Sequence, residues 1–189
     1  MSDNELPAAL SAWAAGVTLV TIADGRDDIG TTVSAFLPVS LDPPLVAVSL
    51  IAGSYPAEVL SRSGCAPDGK ERHLIGRASG SSPGGTTPRT PRGTFAVTLL
   101  SATQKVIAGQ FAAEGRPSAR LILDAVPTVR GSVSGALIPS GGLAAVECSV
   151  ARRIPAGDHL LVISAVESVA YVAEAGEPLV RFRGRYPVL

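Results

Sequence analysis

Residues 30–50, with the sequence GTTVSAFLPVSLDPPLVAVSL, constrain the fold more than any other part of this chain. Two runs rich in Val, Leu, Phe and Thr, which favour a pleated and half-buried surface, flank the pair Pro43 and Pro44. Proline cannot donate to a β-ladder and restricts the residue before it, so the pair predicts a sharp break. The pattern predicts a strand, a corner and a buried strand. Between the two strands it predicts a groove suited to a polar ligand and lined by the small hydroxyls of Thr31, Thr32, Ser34, Ser40 and Ser49.

Most of the remaining chain is also β-rich. Strands are predicted over residues 16–23, 95–100, 142–152, 159–172 and 178–183. About seven strands with few and short helices do not fit a parallel α/β sheet, so the prediction is a mainly β fold, an antiparallel barrel with peripheral helices. The 189 residues fit a single domain. Residues 64–93 carry seven Gly and four Pro and are predicted to be a flexible insertion.

Three short helices are predicted at the edge of the barrel. The first is an amphipathic helix near the N-terminus, the second begins at Ser54, and the third opens with a capping box formed by Ser101 and Gln104. Leu6, Leu10 and Trp13 give the first helix its apolar face, and Val106, Ile107 and Phe111 are expected to face inward in the third.

Composition excludes several kinds of partner. Lys plus Arg and Asp plus Glu are both 16, so no global field favours nucleic acid or a membrane surface. Charged residues are only 17% of the chain, which hints at a surface covered by a second subunit. Residues 64–93 contain five basic and two acidic residues, so this segment carries a net positive charge. No secretory signal pattern and no apolar run of about 18 residues is present, so a cytoplasmic protein is expected.

Familiar catalytic motifs are missing. The sequence has no GxGxxG, and the GxxxxGK match at residues 64–70 is followed by Glu71 where a P-loop needs Ser or Thr. A zinc site is not expected, because it would need nearly all of the two Cys and two His residues of the chain. Asp158 and His159 are adjacent, and adjacent strand residues point to opposite faces, so an Asp–His pair of a hydrolytic triad is not expected.

Seven short segments in a fixed order resemble the flavin reductase family, the FMN-binding split barrels that serve as reductase components of two-component monooxygenases. The segments are residues 16–21 (GVTLVT), 32–36 (TVSAF), 39–44 (VSLDPP), 95–101 (FAVTLLS), 143–148 (LAAVEC), 157–159 (GDH) and 178–186 (PLVRFRGRY). The resemblance implies an antiparallel Greek-key split barrel that binds FMN or FAD and accepts hydride from NADH or NADPH. It also implies a homodimer that supplies reduced flavin to a separate oxygenase.

The resemblance also assigns site residues. The flavin-contacting set that it implies is Thr32, Val33, Ser34, Val39, Ser40 and Ser49, with Ser54 and Tyr55 at the flavin phosphate. The set that it implies for the nicotinamide cofactor is His159, Arg185 and Tyr186. No acid–base residue and no metal is expected, because hydride transfer is carried by the two cofactors.

Three departures from the family pattern keep other functions open. Pro38 and Pro56 occupy positions where the family commonly has hydroxyl residues, and residues 64–93 interrupt the usual passage into the strand at Phe95. The basic insertion is hypothesised to cover the cofactor or contact an adenylate. Two further hypotheses are a flavin-binding electron carrier or sensor without NAD(P)H activity, and a non-catalytic barrel that acts as an interaction subunit.

Overall fold

The computed structural model describes residues 5–25, 28–62 and 93–187. The predicted insertion, apart from Gly93, therefore lies outside the described residues. The helices are α1 Glu5–Ser11, α2 Tyr55–Arg62, α3 Lys105–Ala112 and α4 Ala119–Ile122, with a 3₁₀ turn at Ala102–Gln104. The strands are β1 Ala15–Gly16, β2 Thr18–Ile22, β3 Ile29–Val33, β4 Phe36–Leu41, β5 Pro44–Ile51, β6 Thr94–Leu99, β7 Thr128–Arg130, β8 Leu137–Pro139, β9 Ala144–Ala156, β10 His159–Val172 and β11 Val180–Arg181.

One antiparallel sheet dominates the part of the chain that the structure describes. Its seven strands follow the order β3-β2-β6-β9-β10-β5-β4. Strands β3 and β4 therefore form its two edges, although only Ser34 and Ala35 lie between them in the chain. A two-residue link can join the edges only if the sheet curls until they approach each other, as β3 and β5 do. The result is a barrel left open between its edges, which confirms the predicted mainly β split barrel.

The barrel interior explains the strand pattern. Alternate residues of β5, namely Val46, Val48 and Leu50, point inward with Phe95 and Val97. Leu45 and Ala47, which point to the outer face of the barrel wall, are also buried. Both faces of this strand are therefore covered over most of its length, as the continuous apolar run of residues 44–48 predicts.

The corner at Pro43 and Pro44 is present, but no groove separates the two strands that it joins. Strands β4 and β5 pair directly, with Phe36 opposite Val48 and Leu37 opposite Ala47, and the Asp42–Pro43 peptide at the corner is cis. Hydrogen-bonded neighbouring strands leave no cleft between them.

The third predicted helix is present, but one of its three predicted inward-facing residues points to solvent. Its capping box is present, with the Gln104 side chain accepting from the Ser101 amide at 3.2 Å. Phe111 is fully buried, while Val106 is 72% exposed, so the inward prediction for Val106 is wrong. The ring of Phe111 lies so close to β3 that a Cβ at Gly30 would be 2.2 Å from its Cε1. This contact fixes the helix against the strand that leads to the Ser34–Ala35 link.

The first helix packs less than predicted. None of its residues is buried, and Leu10 is 64% exposed and Trp13, just beyond it, 77% exposed. The predicted helix is present, but its apolar face is not covered by a core of the described residues. Among the described residues no helix is both long and apolar enough to cross a bilayer.

Two buried carboxylates tie the segment between α3 and β9 to the barrel. Asp28 is 1% exposed and accepts hydrogen bonds from Arg130 at 2.7 Å and from Arg120 at 3.1 Å. Glu147, also 1% exposed, accepts from the Ser134 amide and hydroxyl at 2.6 and 2.7 Å and from the Val133 amide at 3.0 Å. These contacts hold α4, β7 and β8 against the outside of the sheet.

Candidate functional site

A groove of about 650 Å³ lies on the outer face of the barrel wall, and we name it the α1 groove. Its floor is built from small or apolar side chains of paired strands, since Leu37 lies opposite Ala47, and Ser49 lies opposite Leu161. These residues alternate with the core residues of the same strands and so face outward together. Its other lining residues are Pro7, Leu10, Ser11, Trp13, Ala15, Ser34, Ala35, Phe36, Arg181, Arg183 and Gly184.

The exposed face of α1 forms the opposite wall of this groove. Leu10 and Trp13 line it and leave most of their apolar surface uncovered. The helix is held in place by backbone bonds to the C-terminal segment, because β1 pairs with β11 and the Arg183 amide donates to the Ser11 carbonyl at 2.8 Å. The arrangement is a slot between a flat strand surface and an aromatic side chain, a shape that fits a planar ring.

A second cleft, of about 900 Å³, adjoins the α1 groove. Its lining includes three basic residues and no acidic one, and we name it the basic cleft. It shares Arg183 and Gly184 with the α1 groove, so the two depressions are neighbours. The complete lining is Lys105, Phe182, Arg183, Gly184, Arg185, Tyr186 and Pro187.

The structure brings together four of the residues assigned by resemblance. Ser34 and Ser49 both line the α1 groove, and the Ser49 amide donates to the Ala35 carbonyl at 3.0 Å, which joins the edge link to β5. Arg185 and Tyr186 both line the basic cleft. Two residues assigned to the flavin and two assigned to the nicotinamide cofactor thus line neighbouring depressions.

Four other residues of the set lie outside both depressions. The side chain of Val33 is 6% exposed and packs in the barrel core, so only its backbone faces a ligand. Thr32 is half-buried on β3, on the same face as Gly30, which contacts α3. Val39 sits at the irregularity of β4, and Ser40 lies beyond it opposite Leu45.

Ser54 and Tyr55 mark a separate polar end of the site, at the start of α2. The Ser54 hydroxyl donates to the Ile51 carbonyl at 2.7 Å, and the Tyr55 hydroxyl donates to the Asp24 carboxylate at 2.7 Å. Both hydroxyl protons are therefore engaged within the protein. A carboxylate beside Tyr55 disfavours an anion electrostatically, which weighs against a phosphate there.

His159 lies at the same end. It pairs with Ile51, two residues along β10 from Leu161 of the α1 groove, and its side chain is 41% exposed. Its Nδ1 lies 2.8 Å from the Asp158 carboxylate, and this hydrogen bond holds the pKa of Asp158 below its usual value. The expectation that these neighbours cannot pair is wrong, because Asp158 lies in the turn before β10 and not in the strand.

Other reactive groups do not form a centre in the described residues. No cluster of three His, Cys, Asp or Glu side chains is present there. Cys148 is fully buried, and its burial, with Glu167 and Glu147 nearby, raises the pKa of its thiol to about 12. It is a core side chain and not a nucleophile.

Sequence reasoning missed several residues that line the two depressions. Trp13 was assigned to the apolar face of a short helix, and Ala47 and Leu161 are ordinary strand residues in the sequence. Arg183 and Lys105 lie 78 residues apart in the numbering and meet only in the fold. The one local signal is the Arg183–Gly184 dipeptide, which is typical of a tight turn.

Comparison with known proteins identifies the family of this chain. Residues 10–189 match the model of the flavin reductase like domain. The chain is 31% identical to an NADH-dependent FMN reductase of Streptomyces nodosus subsp. asukaensis, over 98% of this chain and 84% of that protein. It is also 31% identical to the reductase component of 4-hydroxyphenylacetate 3-monooxygenase of Thermus thermophilus, over 94% of this chain and 91% of the relative. The chain belongs to the flavin reductase family.

Solved structures agree with this membership. The flavin reductase component of a bacterial two-component tryptophan halogenase superposes with a TM-score of 0.77 at 26% identity, covering 98% of this chain and 97% of that one. An NADH:FAD oxidoreductase of Streptomyces globisporus, in complex with NAD and FAD fragments, gives 0.75 at 26% identity, covering 97% and 90%. The resemblance inferred from seven short segments is therefore confirmed over nearly the whole chain.

Proposed function

We propose that this protein is an NAD(P)H-dependent flavin reductase that passes hydride from a nicotinamide cofactor to FMN or FAD. The observation that carries the proposal is the α1 groove, a slot of a size that fits a planar ring, beside a basic cleft in a chain of the flavin reductase family. When bound, the two cofactors supply the hydride chemistry. The protein has to bind and orient them, and its low content of reactive groups fits that role.

Each wall of the α1 groove has a role in this proposal. Ser34 and Ser49 offer hydroxyls to the polar edge of the flavin ring, and Ala47 and Leu161 give it a flat apolar support. Trp13 covers the side toward solvent. Thr32, Val33, Val39 and Ser40 contribute through the backbone and shape of the edge strands, while Ser54 and Tyr55 contact the flavin at the far end.

We assign the residues that flank the α1 groove to the binding of the nicotinamide cofactor. His159 lies on the outer face of β10 next to the groove floor, and Arg185 and Tyr186 lie in the basic cleft at its other end. We propose that these three side chains hold NADH or NADPH against the flavin. We propose NADH as the donor, because the relative from Streptomyces nodosus subsp. asukaensis is an NADH-dependent FMN reductase.

The first test is turnover. Purified protein with NADH and free FMN or FAD should consume NADH, while omission of flavin should abolish the reaction. Ser49→Trp should fill the groove floor and lower both flavin affinity and turnover by roughly tenfold or more. Val172→Trp, at an exposed strand position outside both depressions, is the matched control and should behave like the wild type. No NADH or NADPH consumption by the wild type would contradict the proposed function.

His159→Ala is expected to act on only one cofactor. Loss of the imidazole should raise the KM for NADH by about tenfold, while the Kd for flavin measured by titration stays within about twofold. His159→Gln keeps a hydrogen-bonding side chain, so its KM for NADH should lie between those of the wild type and His159→Ala. Equal losses for flavin and NADH would place His159 outside the nicotinamide side of the site.

We also propose that the protein is a homodimer that acts in the cytoplasm and delivers reduced flavin to a separate monooxygenase. The dimer is supported by exposed apolar side chains on the outer face and edge of the sheet, among them Leu37, Val39, Ile51 and Ile154. The oxygenase partner is supported by the relatives that are reductase components. Light scattering after size exclusion tests the dimer, and a single-chain mass would reject it.

A further inference from the structure

The turn from Phe182 to Arg185 has an unusual backbone. Arg183 has φ 48° and Gly184 φ 73°, and the chain closes with two bonds, Phe182 amide to Arg185 carbonyl at 2.9 Å and Arg185 amide to Phe182 carbonyl at 3.0 Å. Positive φ at both central positions defines a type I′ turn, where Asn or Gly is preferred. Among the described residues Arg183 is the one non-glycine with positive φ.

Arg183 has a positive φ, a backbone conformation in which its Cβ is sterically unfavourable. Strained positions of this kind cluster at binding sites, because the surrounding structure holds the side chain where it is used. Here the Arg183 amide is bonded to the Ser11 carbonyl, and the guanidinium lies 5.2 Å from the centre of the Phe182 ring. Arg183 lines the basic cleft as well as the α1 groove.

Three cations meet in this cleft without a counter-ion. Lys105 comes from α3, while Arg183 and Arg185 come from the turn, and all three are exposed. Across residues 5–25, 28–62 and 93–187, each ion pair with a carboxylate involves other residues. Converging guanidinium and ammonium groups with no carboxylate among them are suited to an anion, and arginine in particular to phosphate.

We propose that the basic cleft is the phosphate subsite for a cofactor nucleotide, held by Lys105, Arg183 and Arg185. The proposal rests on the proposed function, and it adds Lys105 and Arg183 to the binding residues. Because Arg183 and Gly184 border both depressions, a nucleotide whose ring occupies the α1 groove can extend its phosphate into the cleft. A flavin phosphate and a nicotinamide pyrophosphate offer the same chemistry here.

The sharpest variant is Arg183→Gly. Glycine adopts positive φ without strain, so the turn is kept while the charge is removed. Calorimetric titration with inorganic pyrophosphate should show binding to the wild type, and the Kd should rise by roughly tenfold or more in Arg183→Gly and in Lys105→Gln. Arg183→Lys should retain most of the affinity. Arg62→Gln removes an exposed charge on α2 and is the control that should leave the Kd unchanged.

Cofactor titrations identify which phosphate uses the subsite. If it is the flavin phosphate, Arg183→Gly raises the Kd for FMN and spares riboflavin; if it is the nicotinamide pyrophosphate, the variant raises the KM for NADH and spares FMN. Wild-type pyrophosphate affinity in Arg183→Gly, or no pyrophosphate binding at all, overturns the proposal. Pyrophosphate titration needs no turnover, so a wild type that binds pyrophosphate but does not oxidise NADH counts against the proposed function alone.

Discussion

Asp28→Asn is expected to lower the free energy of unfolding by about 3 kcal/mol. The substitution keeps the shape of the side chain but removes the charge that Arg120 and Arg130 share, and it leaves an amide group facing their N–H donors. Because the Asp28 side chain is 1% exposed, water cannot replace the lost contacts. Urea or thermal unfolding measures the effect, with an expected fall in Tm of roughly 6–12 °C.

The same contacts give the stability a pH dependence. Burial alone would raise the pKa of Asp28, but the hydrogen bonds and charges of Arg130 and Arg120 outweigh it and hold the pKa below its usual value. A lowered carboxyl pKa stabilises the fold above the unfolded value of about 3.9, and this contribution is lost as the pH falls through the lower folded value. The difference between wild type and Asp28→Asn should therefore shrink below about pH 4.

Asp124→Asn is the control for this prediction. Asp124 is exposed and close to Arg120 in the chain, so its loss should change stability by no more than about 0.5 kcal/mol. If Asp28→Asn unfolds like this control at neutral pH, the buried ion pairs do not hold the fold.

Glu147→Gln is expected to cost about 2–3 kcal/mol. This carboxylate is buried among neutral donors, the amides of Val133 and Ser134 and the Ser134 and Ser132 hydroxyls. Burial would raise the pKa of Glu147, but these hydrogen bonds lower it below its usual value. In glutamine the NH₂ takes the place of the oxygen that accepts from the Ser132 hydroxyl, and the three donors at the other oxygen lose the negative charge that strengthens their bonds.

The loop around Glu147 is closed too tightly for compensation. A Cβ at Gly131 would lie 2.1 Å from Glu147 Oε2, so the loop cannot shift inward. Unfolding of Glu147→Gln should be compared with Glu174→Gln, an exposed glutamate in a turn, which should match the wild type. Hydrogen exchange at residues 131–135 gives a local readout, and unchanged protection there would show that the carboxylate does not anchor the loop.

Local sequence patterns predicted the strands well and the packing of the helices poorly. Strand β10 begins and ends where the pattern places it, at His159 and Val172, since alternation and turn residues are encoded locally. Val106 was placed in a core because helical spacing marks an apolar face but not what covers it, and the same holds for the apolar face of α1. Here α1 faces a groove, and Val106 faces solvent.

The candidate site was predictable in part. Ser34, Ser49, Arg185 and Tyr186 were assigned by resemblance, and the fold places each of them in one of two neighbouring depressions. Arg183 was not assigned, because its significance lies in a left-handed backbone that a sequence does not display. Asp28 and Glu147 were not singled out either, since their partners lie 92, 102 and 13–15 residues away.

By itself the sequence determined an antiparallel β protein with a corner at Pro43, and its ordered segments determined membership of the flavin reductase family. These features follow from short-range alternation, turn chemistry and motif order, which a linear pattern contains. Only the tertiary structure decided that β3 and β4 form opposite edges and that α1 faces the wall between them. It also decided that Lys105 joins the arginines of the C-terminal turn. Such contacts depend on how the sheet curls, which is set by packing between residues far apart in the chain.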